Sequence, residues 1–274
     1  MSLLHETVKL YAYVFHTYPY ALPVVCGLFG LLIGSFLNVL ALRLPTGDSF
    51  IYPPSHCVYC KHRLGALDLV PVLSYVVLGG KCRYCRTPIS WIYPFGELMT
   101  AVLFALMAWQ LGPTPELLVG LFLAAVLSAI TVTDLKYMLI PDKIIAFALL
   151  LGLILRAFIH TQPFWYYVVS AFAGGALLYA IAWASERWLR KEGMGGGDIK
   201  LFVFIGLMLG FKLTLLTLFA ASLFGLIGGL VLLRLSKQNQ EAHIPFGPFI
   251  ALGAVFSYLW GEASIALYIQ FILN

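Results

Sequence analysis

Eight apolar runs, most of them close to the length that an α-helix needs to cross a bilayer, constrain this chain more than any other feature. A crossing helix takes about 20 predominantly apolar residues, because each residue advances the helix by about 1.5 Å and the hydrocarbon layer is about 30 Å thick. The runs are Ala21–Leu42, Trp91–Leu111, Glu116–Thr133, Lys143–His160, Phe164–Trp183, Ile199–Phe211, Leu213–Leu233 and Ile244–Ile272. The sixth is short. The eighth is long, and Gly261-Glu262 is expected to divide it into a span and an end segment. Composition agrees: 61% of residues are hydrophobic, 11% are charged and the mean hydropathy is +0.93, against about 45–50% apolar and about 25% charged in a soluble domain. The expected fold class is all-α, a polytopic bundle of about eight transmembrane helices. No A-x-A site follows the first run, which reads as a retained span. One sizeable polar segment, Arg43–Ser90, reads as an insert between the first two spans. The chain then divides into residues 1–42 (N-terminal segment and first span), 43–90 (insert) and 91–274 (bundle).

Orientation follows from the cations. With the N-terminus outside and eight alternating spans, the cytoplasmic loops hold Arg43, Lys61, Arg63, Lys81, Arg83, Arg86, Lys136, Lys143, Arg187, Arg190, Lys191, Lys200, Arg234 and Lys237. The opposite side holds Lys9, Arg156 and Lys212, which completes the 17 Lys and Arg. Such asymmetry is the positive-inside signal. The net charge of +5 is accordingly a topology signal and gives no reason to expect nucleic acid as a partner. Gly30-x-x-x-Gly34 and Gly225-x-x-x-Gly229 are read as close helix packing.

Four of the five cysteines form two tight pairs, Cys57-Val-Tyr-Cys60 and Cys82-Arg-Tyr-Cys85. Each C-x2-C turn aims two thiolates at one tetrahedral ion, and two such turns close a four-sulfur zinc site. Paired cysteines form disulfides in an oxidising compartment and metal sites in a reducing one. The topology puts these in the reducing cytosol, so a structural zinc is expected in a cytoplasmic insert. Lys61, Arg63, Lys81, Arg83 and Arg86 offset the negative charge of a zinc tetrathiolate. His56 and His62 flank the first pair and are expected to face solvent. Cys26 reads as a small core residue.

Carboxylates at the edge of the hydrocarbon are costly and usually functional. Asp134 closes the third run, and Asp198 opens the sixth after Gly193-Met194-Gly195-Gly196-Gly197. Both fall at the cytoplasmic ends of their helices, where they can face each other. Facing carboxylates share a proton, so one serves as base and the other as acid. Aspartyl proteolysis requires this division: one group deprotonates water and the other protonates the carbonyl oxygen. Gly195 and Gly197 would supply unusual backbone and close approach beside Asp198, in an irregular segment lining a wet cavity. A plain alternative makes Asp198 the N-cap of its helix, and Asp142, after Ile140-Pro141, reads as the N-cap of the fourth.

In their order along the chain these pieces resemble the type IV prepilin peptidase family. The resemblance rests on Gly34-Ser35-Phe36-Leu37-Asn38-Val39 with Arg43-Leu44-Pro45, the paired C-x2-C motifs, Tyr93-Pro94 with Glu97, and Asp134-Leu135-Lys136 leading to Leu139-Ile140-Pro141-Asp142. It extends to Gly195-x-Gly197-Asp198 with Lys200-Leu201 and to Pro245-Phe246-Gly247-Pro248. It implies catalysis by Asp134 and Asp198, with Gly195, Gly197 and Lys200 in support. It implies a multi-pass inner-membrane enzyme that cleaves the basic leader of prepilins or pseudopilins at the cytoplasmic face. It also implies methylation of the new N-terminal amine, with S-adenosylmethionine as donor. No G-x-G-x-x-G marks a Rossmann-type site for that donor. Arg43 and Glu97 are the residues assigned to methyl transfer, and a pairing of Glu97 with a cation at the membrane edge is the alternative. Asp48, Asp68, Glu186 and Glu192 are the acidic groups available to a basic leader, and lipid is the other expected partner. Two rivals stay open: a polytopic transporter with a zinc-stabilised loop, and another G-x-G-D peptidase of the preflagellin or presenilin-like kind.

Overall fold

The structure, a computed structural model, describes residues 18–49, 51–189, 195–235 and 245–273. Lys9, Arg190, Lys191, Glu192, Gly193, Met194, Lys237 and Ile244, named above, lie outside the described residues. Within them the fold is helical: α1 Ala21–Arg43, α2 Leu73–Val77, α3 Ile92–Leu111, α4 Pro115–Tyr137, α5 Asp142–Phe158, α6 Phe164–Leu189, α7 Gly196–Leu209, α8 Phe211–Leu235 and α9 Gly247–Leu273. A 3-10 turn covers Ala66–Asp68. Every expected span is a helix, and α2 is an extra short one in the insert. Six helices (α1, α3, α4, α6, α8 and α9) are long and apolar enough to cross a membrane. Helices α5 and α7 have 17 and 14 residues. Fourteen residues reach only about 21 Å at 1.5 Å each.

Prolines start helices where a missing N–H costs nothing: Pro94, Pro115 and Pro248 all fall in first turns. The expected break at Gly261-Glu262 does not occur, since α9 runs unbroken to Leu273. One helical glycine costs only about 1 kcal/mol. A Cβ at Gly261 would come within 2.6 Å of Leu213, so a small residue is required there for packing. Glu262 is ion-paired with Lys212.

The described chain falls into two compact units. The first comprises, among the described residues, 18–40, 49 and 51–125. In it Gly30 and Gly34 let α1 close on α3. A Cβ at Gly30 would lie 2.8 Å from Ala101 Cα, and one at Gly34 would lie 2.9 Å from Glu97 Cα. Asn38 extends this seam by donating its amide to the Tyr93 carbonyl at 2.8 Å.

The second unit comprises, among the described residues, 41–48, 126–189, 195–235 and 245–273. Its centre is α7, which packs against α5, α6, α8 and α9. Leu201, Phe202 and Phe204–Leu209 of α7 are all buried, as a helix apolar on every side requires. In a helix this short the last carbonyls need donors inside the protein. Buried Arg156 of α5 supplies them by donating Nε and a terminal nitrogen to the Met208 carbonyl, while its guanidinium lies over the Tyr167 ring. Gly210, at φ 81°, then turns the chain into α8. On the far seam Gly225 and Gly228 accommodate the rings of Phe246 and Phe249.

Gly206 of α7 sets the approach to α6, because a Cβ there would run into the Ser170 main-chain carbonyl. Gly206→Val should therefore destabilise the second unit by about 1–3 kcal/mol and lower the thermal midpoint in detergent. Gly196→Ala, with no atom within 4 Å of the added Cβ, should leave that midpoint in place.

Candidate active site and metal centre

Asp134 is buried in the last turn of α4. Met138, at φ 53°, ends the helix and returns its N–H to the Asp134 carbonyl at 2.9 Å. Tyr137 ties the same turn to the last turn of α1, since its hydroxyl donates to the Leu42 carbonyl at 2.9 Å. The Asp134 carboxylate accepts the Gly247 main-chain N–H at 2.7 Å. Gly247 is the first residue of α9, so this donor is one of the unpaired N–H groups at a helix N-terminus, where negative charge is favoured. A Cβ at position 247 would sit 2.7 Å from the Asp134 Oδ2, so only glycine allows this approach.

Asp198 is the third residue of α7 and half-buried. It lies close enough to Asp134 for the two charges to act on each other. It is not the N-cap: Gly195 holds that position, and the Asp198 N–H donates to the Gly195 carbonyl at 3.1 Å. The expected irregular glycine backbone is absent at Gly195–Gly197. Gly195 is extended, Gly196 and Gly197 are helical, and none of the three has positive φ. What Gly197 provides is proximity, since its Cβ would lie 2.9 Å from that of Ile140. Lys200 pairs with Asp142 at 2.6 Å. Asp142 does not cap α5 either. Pro141 holds the N-cap position without a side-chain bond, and the Asp142 carboxylate turns to Lys200.

The residues assigned to methyl transfer sit in different units. Arg43 ends α1 and is half-buried, and its carbonyl accepts from Thr46 Oγ1 at 2.9 Å. Glu97 is buried in α3. Its carboxylate accepts the Val72 N–H at 2.8 Å and the Ser35 hydroxyl, so neutral donors take the place of the alternative cation pairing.

The insert contains two copies of one local structure. Lys61 returns its N–H to Cys57, and Arg86 to Cys82, each with φ near 60°. An isolated bridge closes each turn, His56 with Arg63 and Lys81 with Pro88. The turns bring the sulfurs of Cys57, Cys60, Cys82 and Cys85 within 4.8 Å of one another. The Cys57–Cys85 separation is 3.7 Å. Zinc–sulfur bonds of about 2.3 Å in a tetrahedron put sulfurs about 3.8 Å apart, so the cluster fits that ion. The thiols compete for negative charge. The Thr87 hydroxyl and main chain lower Cys85 to about 6. Cys60 is pushed up to about 11: the His62 main chain opposes the rise, but loss of water and the sulfurs of Cys57, Cys85 and Cys82 outweigh it. A divalent cation removes this conflict. His62 stacks on Tyr84 at 3.6 Å and His56 bonds the Pro54 carbonyl, so neither is drawn to the sulfurs. Asp68 is held below the usual carboxylate range by Arg83 and braces the second turn.

Two residues here escaped the sequence reading. Gly247 was visible only as a glycine between prolines in Pro245-Phe246-Gly247-Pro248, and its role as a donor to Asp134 depends on long-range packing. Arg156 was read only as a charge on the outer side, although a lone arginine inside an apolar run is itself a signal.

Two aspartates at helix ends in a chain with several membrane-length helices make membrane peptidases the class to compare. Residues 28–111 match the family described as "Bacterial Peptidase A24 N-terminal domain", and residues 121–230 match the "Type IV leader peptidase family". A Bacillus subtilis protein named "Prepilin leader peptidase/N-methyltransferase" is 36% identical over 90% of this chain and 98% of its own length. Proteins of that name from Pseudomonas aeruginosa (33% identical, 93% of this chain, 96% of theirs) and Aeromonas hydrophila (35%, 88% and 92%) are similar. No solved structure shows a significant match. The chain belongs to the type IV leader peptidase family and is a multi-pass inner-membrane enzyme.

Purified protein should carry one metal ion per chain in the four-cysteine cluster. Elemental analysis should find it in the wild type and find it lost in Cys57→Ser, with the insert becoming sensitive to protease. Metal-free protein from zinc-replete cells would contradict this.

Proposed function

We propose that this chain is an aspartic endopeptidase that removes the basic leader of type IV prepilins or pseudopilins at the cytoplasmic membrane face, and that it methylates the new N-terminal amine. The observation that carries the reading is that Asp134, in the last turn of α4, and Asp198, in the first turn of α7, lie near enough for their charges to influence each other. In the reaction one carboxylate takes a proton from water as the oxygen attacks the scissile carbonyl. The other gives its proton to the carbonyl oxygen and the tetrahedral intermediate collapses, releasing the amine. The Gly247 N–H holds Asp134 in position, and Gly195, Gly197 and Lys200 shape the start of α7. The orientation with the N-terminus outside puts both aspartates and the 43–90 insert on the cytoplasmic side, and residues 91–274 form the peptidase bundle.

The metal in this reading is a structural zinc. Four sulfurs leave no position for water, so the ion stabilises the insert and takes no part in hydrolysis. The methyl donor is S-adenosylmethionine, and Arg43, Glu97 and the insert are assigned to that step. Methyl transfer needs a neutral amine aligned with the methyl group, and positioning supplies most of the acceleration. An α-amine has a pKa of about 7.7–8.0, so the aspartate pair is not required for it.

Asp134→Asn and Asp198→Asn should each lower prepilin cleavage by about 10²–10⁴-fold in membranes that contain normal amounts of the variant. Gly247→Ala, which crowds Asp134, should lower kcat with little change in KM. Mass spectrometry of the mature N-terminus reads cleavage position and methylation together. Near wild-type cleavage by either folded aspartate variant would remove that residue from the mechanism.

The Asp134→Asn, Asp198→Asn double variant should still transfer labelled methyl to a pre-cleaved pilin with a free N-terminal Phe. Labelling by the wild type alone would mean that the aspartates serve both steps.

A further inference from the structure

The middle of the insert exposes apolar side chains that a water-facing domain would bury. Leu67 is 77% exposed, Leu73 63%, Val76 67% and Val77 81%. Leu73, Val76 and Val77 fall at i, i+3 and i+4 of α2, on one face, and the Ala66–Asp68 turn packs on that helix. Monomeric soluble surfaces carry isolated leucines, whereas a contiguous apolar patch rimmed by charge marks an interaction site.

The depth of this patch is set by Glu97. That residue is the sixth of α3, about 7.5 Å along the helix from Ile92. Trp91 stands at the start of the same helix with 60% of its surface exposed. Indoles in that position mark the level of the bilayer–water boundary. The Val72 amide is bonded to the buried Glu97 carboxylate, whose side chain leans back toward the helix start, so the chain beside α2 is tied to the first turns of α3, next to Trp91. Val72 adopts φ 61° there, a conformation that costs a β-branched residue of order 1–3 kcal/mol. The Glu97 bond is what favours it.

Charge agrees with depth. Between residues 51 and 90 the insert has Lys61, Arg63, Lys81, Arg83 and Arg86 against Asp68 as its one acidic residue. Cations beside exposed apolar side chains are the composition of an element lying in the membrane interface.

We propose that the segment Leu67–Val77 is an interfacial element that puts Leu73, Val76 and Val77 among the acyl chains of the bilayer, with the neighbouring cations on anionic head groups and Glu97 fixing its depth. This rests on α3 being a span and is independent of the reading of the aspartates. The insert is then seated on the membrane at a fixed height, which holds the four-cysteine turns close to the surface.

The test uses the full chain in lipid nanodiscs, with an environment-sensitive fluorescent amino acid encoded at position 77 so that no cysteine is modified. Lipids brominated near the carbonyl end of the acyl chain should quench the label at least about twofold more than aqueous iodide. Replacing anionic lipid by phosphatidylcholine should weaken that lipid quenching. Glu97→Leu, which cannot accept the Val72 N–H, should reverse the order of the two quenchers, whereas Glu97→Gln, which keeps an oxygen acceptor, should preserve it. If Glu97→Leu does not fold, the order in the wild type decides alone. Stronger quenching by iodide in the wild type would overturn the proposal. So would a label shielded only when a prepilin-derived peptide is added, because the patch would then be a protein-binding surface.

Discussion

Asp134 is buried at the end of an apolar helix, and the donor its carboxylate receives from the main chain is the Gly247 N–H at 2.7 Å. A carboxylate in such a place is expelled to water or neutralised unless donors and a helix terminus compensate it. Much of the second unit serves this compensation. Helix α9 must begin at Gly247, because any Cβ would displace the carboxylate. Helix α4 must end one turn beyond Asp134, which Met138 and Tyr137 bring about. Asp198 enters on the first turn of α7.

The position of Asp198 in turn depends on a helix of only 14 residues. Helix α7 packs against four others and ends inside the unit, where Arg156 donates to the Met208 carbonyl. A buried cation is tolerable here because helix C-terminal carbonyls and the Tyr167 ring surround it. The first unit solves a related problem differently. Gly30 and Gly34 bring α1 against α3, and the polar groups Ser35, Asn38 and Glu97 are placed along that seam.

The helical architecture was legible because a bilayer-length apolar run has few other solutions. The cysteine turns were legible for a similar reason, since C-x2-C prescribes local geometry whatever surrounds it. Errors gathered where local preference competes with packing. Asp142 has the residue type of a cap, yet its carboxylate lies nearer Lys200. Gly195–Gly197 suggested irregular backbone, whereas the structure uses Gly197 in ordinary helical conformation to admit Ile140. Gly261 suggested a break, but it is a contact point for Leu213. In each case the sequence contains the residue and not its distant neighbour.

Two carboxylates that share one proton form a single catalytic unit, and removing either half removes the function of both. Independent residues instead lose activity multiplicatively. The most direct measurement is the single-turnover cleavage rate, with enzyme in excess over a prepilin, for Asp134→Asn, Asp198→Asn and the double variant. A shared-proton pair predicts that the double variant is no slower than the slower single variant. A double variant slowed by the product of the two single losses would contradict it, and would mean that the two aspartates act apart.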